Sequence, residues 1–143
     1  MAVRIMLRVR SRSTSKVIEV NALVNSGYET EKPELLVPVK VAELLGLWPL
    51  PSRYLAKDYF TAGGLVRNYI LSNEVEVSVL VEYKTNVVNC DLVISLIEDE
   101  VLISDKLASK LGIIVYDFAE GIWRLKTDRE DIRRKSVERQ IWR

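Results

Sequence analysis

The chain offers few residues with chemistry to contribute, and their types exclude more than they allow. Histidine is absent and Cys90 is the one cysteine of the 143 residues. The usual zinc ligand sets, Ser–His and Cys–His nucleophile pairs, and an internal disulfide are therefore ruled out. Cys90 lies in an apolar-rich run, residues 87–94, where a buried and inert thiol is expected. Neither a metal nor a cofactor is expected. What remains is Ala22-Leu23-Val24-Asn25-Ser26-Gly27, an apolar run that breaks at a small polar turn ending in glycine. An asparagine amide there can donate and accept hydrogen bonds, but it has no basic pKa with which to activate water. An isolated Asn-Ser-Gly is usually only a turn. Ala62-Gly63-Gly64 marks a second tight turn, with a glycine pair suited to positive φ, while Asp91 and Asp105 read as surface or capping carboxylates.

The elements that must position these turns are mostly strands. Val3, Ile5, Leu7 and Val9 alternate with Arg4, Met6, Arg8 and Arg10, the period of a strand with one buried face, and residues 17–20 predict its hairpin partner. After Leu35-Leu36-Val37, Pro38 stands just inside a predicted short helix over 39–45, ended by Gly46. A hairpin is expected over 54–71 with residues 61–64 at its tip, then strands over 74–81 and 86–95. Ser104 can cap a second helix, 105–111, closed by Gly112, and residues 113–116 and 122–125 predict a last hairpin. The segment 40–47 matches 106–113 through a shared Lys-x-Ala-x-x-Leu-Gly pattern, and Leu23-Val24-Asn25-Ser26 has a fainter echo in Leu92-Val93-Ile94-Ser95. Thr127-Asp128-Arg129-Glu130 has the form of a capping box, so a helix is expected in the charged tail, residues 127–143, behind a single β domain of residues 1–126.

Taken together, the Asn25-Ser26-Gly27 turn after a strand, the helix ending in Leu-Gly-Leu, the glycine-tipped hairpin and Leu102-Ile103-Ser104-Asp105 before a second helix resemble the retropepsin-like aspartic proteases over residues 15–126. The resemblance implies a mainly β, closed barrel with two short helices, working as a homodimer whose two-fold passes near Asn25. It places Asn25 at the catalytic aspartate position, Ser26 at the hydroxyl that braces the two loops, Gly27 at the close backbone approach, and Ala62, Gly63 and Gly64 at the flap tip over the substrate. Three residues depart from the pattern: Asn25, Tyr28 where a small residue normally follows, and Ser104 where the buttressing motif has glycine. Tyr28 would narrow or fill the substrate cleft. Because the family's mechanism needs two carboxylates sharing a proton, an asparagine pair keeps binding and loses catalysis.

The favoured expectation is therefore a catalytically silent dimer that holds an extended peptide or protein segment. An aspartic endopeptidase is the alternative if Asn25 is engineered or deamidates. A nucleic-acid binder is the third reading, resting on charge alone. Net charge is +1, with +5 in residues 1–16, +3 in 126–143, and nine basic against sixteen acidic groups between them. The basic ends interleave polar or opposite-sign residues as solvated faces do, which argues against nucleic acid. No apolar run reaches the ~18 residues of a membrane helix, so no membrane contact and a cytoplasmic location are expected.

Overall fold

The computed structural model describes residues 2–143. Strands β1 (Arg4–Ser11) and β2 (Val17–Val24) form the expected hairpin, with Leu7 opposite Val20. The chain then crosses to β3 (Glu34–Pro38) and the short helix α1 (Val39–Leu44). Strand β4 (Leu55–Thr61) and the sixteen-residue β5 (Gly64–Val79) follow, then β6 (Val88–Ser95), β7 (Val101–Ile103) and helix α2 (Asp105–Leu111). The chain finishes with β8 (Ile113–Asp117), β9 (Ile122–Leu125) and the two-residue β10 (Arg134–Lys135). The fold is mainly β.

Six strands close on themselves in the order β1-β2-β7-β3-β6-β5, because β5 pairs back onto β1, and β4 extends from β5 as a seventh strand. One long strand replaces the two separate ones expected over 64–81. A register shift between Leu71 and Val75 bends β5, so its first half pairs with β4 and its second half with β1. Inside the barrel Ile5, Leu7, Leu35, Leu71, Leu92, Ile94 and Ile103 are buried completely. Each such side chain contributes roughly 1.5–3 kcal/mol by leaving water.

The sequence echo corresponds to a pseudo-two-fold within the chain. Strand β2 runs parallel to β7 with Val24 beside Ile103, and β6 runs parallel to β3 with Ile94 beside Val37. The halves meet in two antiparallel contacts, Val9 against Val77 and Leu36 against Leu102. Exchanging the halves maps each of these two pairs onto itself, so the axis passes through both. Helices α1 and α2 are mates, each followed by a glycine with φ near +75°, Gly46 and Gly112. Val24 and Ile94 are then equivalent, which makes Ser95, not Ile94, the counterpart of Asn25. The faint echo read from sequence is one residue out of register. Pro38 is also displaced by one, standing at the N-cap of α1 and not inside it.

The tail is not helical. Asp128 turns back instead of capping forward: its Oδ2 accepts from the Leu125 backbone N–H at 2.8 Å and from Arg134 Nε at 2.9 Å, and its Oδ1 accepts from the Tyr83 hydroxyl at 2.8 Å. With the capping carboxylate consumed, the chain reverses and β10 pairs with β9, Arg134 opposite Trp123. Beyond it the tail runs extended across the barrel, where Val137 N–H donates to Arg4 O and Trp142 N–H to Asp99 O. Trp142 packs on the core, so the sparse apolar positions of the tail are anchor points and not a helical stripe.

Hydrogen bonding from Arg134 holds the Asp128 carboxyl below the ordinary carboxylate range, against the opposing effect of burial. A carboxyl depressed in the folded state contributes stability that is present above its unfolded pKa, about 4, and lost as pH falls below it. Asp128→Asn is therefore expected to lower stability at pH 7 and to flatten the fall in stability between pH 5 and pH 2, as measured by urea unfolding across that range.

Candidate functional site

Strand β2 ends at Val24 because the next residue leaves the sheet through its own side chain. Asn25 Oδ1 accepts from Gly27 N–H at 3.0 Å, its carbonyl accepts from Tyr28 N–H at 3.0 Å, and its N–H donates to Ile103 O at 3.3 Å. The Gly27 donor fixes which end of the amide is oxygen. The pseudo-symmetric Ser95 makes the same kind of turn, its Oγ accepting from Ile97 N–H at 3.2 Å and Glu98 N–H at 3.0 Å. Asn25 and Ser95 line one cavity of about 450 Å³, with the axial pair Leu36 and Leu102 also in its lining.

The β4–β5 hairpin supplies the facing wall. Thr61 closes its tip, accepting from Gly63 N–H at 3.2 Å and donating to Gly64 O at 2.8 Å. Of the glycine pair only Gly64 takes positive φ, at +113°. Tyr59, Phe60, Thr61, Ala62, Val66 and Asn68 reach the cavity, whereas Gly63 and Gly64 shape the turn without lining it. Of the residues singled out by sequence, Asn25, Gly27, Tyr28 and Ala62 converge here. Ser26 does not; it is exposed and lines a smaller hollow with Asp105, Ala108 and Ser109.

Tyr28 lines the cleft and does not fill it. Its hydroxyl donates to Glu34 Oε1 at 2.8 Å, and the Tyr59 hydroxyl donates to the same oxygen at 3.2 Å. Glu34 is only 5% exposed. Burial, and then the neighbouring Glu34 charge, push both phenols well above the usual tyrosine range. Glu34 borders a second cavity of about 670 Å³, so the Tyr28–Glu34–Tyr59 contacts partition two hollows. Ser104 has a structural role of its own: its Oγ accepts from Leu107 N–H at 3.2 Å, capping α2, and from Glu34 N–H at 3.1 Å, tying β3 to the helix.

Tyr59, Asn68, Ser95, Glu98 and Glu34 were missed by motif reasoning. Asn68 carried a signal, as the one polar residue in the series Val66, Asn68, Ile70 on one face of β5. It is 4% exposed, and its Oδ1 has no partner. Glu34 carried none, since nothing local to Pro33-Glu34-Leu35 announces two tyrosines brought from residues 28 and 59.

No pair of carboxylates meets beside Asn25: Glu98 is the one acid lining the cleft. Among the described residues no group of three or more His, Cys, Asp or Glu side chains could hold a metal ion, and no helix is long and apolar enough to cross a membrane. Burial raises the Cys90 thiol far above its ordinary pKa, with Asp91 and Glu34 adding to the effect. No protein-family model and no curated protein matches this chain.

Two substitutions separate a hydrogen-bonded buried group from an orphaned one. Tyr28→Phe removes a donor from buried Glu34 and should cost about 1–3 kcal/mol. Asn68→Leu removes an orphaned amide and should be neutral or stabilising by a few tenths to ~1 kcal/mol. Thermal unfolding of the two variants beside the parent chain measures both.

Proposed function

We propose that the chain is a retropepsin-like pseudoprotease that holds an extended peptide or protein segment as a homodimer. The single observation that carries this reading is Asn25, seated in a turn at the end of β2 and lining a cleft walled by the β4–β5 hairpin. In a two-carboxylate hydrolase one group takes a proton from water while the other donates to the scissile carbonyl, and an amide does neither. Asn25 still has an amide nitrogen with no protein partner among the hydrogen bonds of the turn, suited to a peptide carbonyl. Exposure of Ser26 and Gly27 beside it supports a second copy meeting this loop. The basic termini favour nucleic acid little, since Arg4, Arg10, Arg134, Arg139 and Arg143 are committed to Glu100, Glu76, Asp128, Glu100 and Asp99.

Sedimentation analysis should give a dimer at high protein concentration; a monomer throughout removes the two-fold site. Incubation with a mixed peptide library should produce no cleavage at any pH while intact mass confirms the amide at position 25. Asn25→Asp would place two facing carboxylates in the dimer, whose repulsion raises one apparent pKa, so any activity gained should favour acidic pH. Cleavage by chain verified to carry Asn25 would overturn the pseudoprotease reading.

A further inference from the structure

The polar capacity left open in the cleft is uneven, and the unevenness selects a ligand. None of its lining residues is a lysine or arginine. Arg4 and Arg139 pair with Glu100 and Arg143 pairs with Asp99, while Lys57 lies over the Tyr59 ring, 5.1 Å from its centroid, and lines the neighbouring hollow instead of the cleft. Glu98, exposed and lining the cavity, has no ion-pair partner among the described residues. On the opposite strand Asn68 presents an amide oxygen with no hydrogen bond, inside the same cavity. Ser95 links the two through the sheet. Tyr69 pairs with Ile94, so Asn68 stands at the next register position, beside Ser95, whose Oγ accepts the Glu98 N–H. Residues opposed across antiparallel strands project to the same face.

Resting on the peptide-binding reading above, we propose that the cleft selects a segment bearing a lysine or arginine side chain, with Glu98 receiving the cation and Asn68 accepting an N–H from the same ligand. Tyr28, Tyr59 and Phe60 supply apolar and aromatic surface against which the methylene stem of such a side chain can lie. Burial, then the charges of Asp99 and Glu100, raise the Glu98 carboxyl above its ordinary pKa. A ligand cation at this point offsets the repulsion from Asp99 and Glu100, and an acidic side chain adds to it. Asn68 remains unpaired until a donor arrives, a state that costs stability and that a peptide N–H would repair.

The test uses the full chain and three dye-labelled octapeptides that share apolar flanks and carry a central lysine, norleucine or glutamate. Fluorescence anisotropy at fixed salt and neutral pH should rank lysine above norleucine by about two- to fivefold, the scale of an ion pair to an exposed carboxylate, and norleucine above glutamate. Glu98→Gln should bring the lysine-to-norleucine ratio close to one, and Glu98→Lys should invert the order in favour of glutamate. A lysine preference that survives Glu98→Gln would assign it to general attraction by the acidic body of the chain and overturn the proposal. Equal binding of lysine and norleucine peptides would also overturn it while leaving peptide binding intact. Binding of none of the three would bring down the peptide reading and this inference with it.

Discussion

Closure of the barrel through the β1–β5 pairing is the constraint on which the other features depend. Only the β1–β2 and β5–β6 pairings lie within one half; the parallel β2–β7 and β3–β6 pairings cross between halves, and Val9 against Val77 joins the halves on one side of the axis as Leu36 against Leu102 joins them on the other. With both contacts made, no edge of the six-stranded ring is left unpaired, and the inward faces of all six strands share one core. The Leu36–Leu102 contact is also cleft lining, so the geometry of the site is inherited from the axis of the fold.

From that axis follows the opposition of two similar turns with different chemistry. Asn25 and Ser95 occupy equivalent positions, and each spends its side-chain oxygen on backbone N–H groups of its own turn. The next residues differ in kind: Gly27 and Tyr28 on one side, Ile97 and Glu98 on the other. The first wall is sealed by two phenols on a buried carboxylate, while the second ends in an unpaired carboxylate at the rim. A cleft built on symmetry is thereby electrostatically lopsided.

The tail illustrates how long-range partners override a local signal. Thr127-Asp128-Arg129-Glu130 satisfies the pattern of a helix start, yet Asp128 meets Tyr83, from before β6, and the Leu125 N–H, from the end of β9. Those partners, with Arg134, satisfy the carboxylate more fully than a single helical N–H could, and the chain turns back as a strand. The 137–143 segment then joins Arg4 and Asp99, bringing the two chain ends and the loop after β6 together.

Sequence alone determined whatever depends on neighbours a few residues apart. The alternation in β1, the hairpin tip at residues 61–64, the two short helices with their terminal glycines, and the break at Asn25 are each specified by side-chain period or local backbone chemistry. It also established that residue 25 carries an amide, which hydrogen-bonds but cannot serve as a base, since that is a matter of residue type. Tertiary structure decided which distant residues meet: the closure of β1 on β5, the equivalence of Asn25 with Ser95, the placement of Tyr28 and Tyr59 on Glu34, and the isolation of Asn68 and Glu98 in one cleft. Pairing register has a period of two, so a one-residue ambiguity invisible in a short motif changes which face a side chain occupies, and only the closed ladder of hydrogen bonds resolves it.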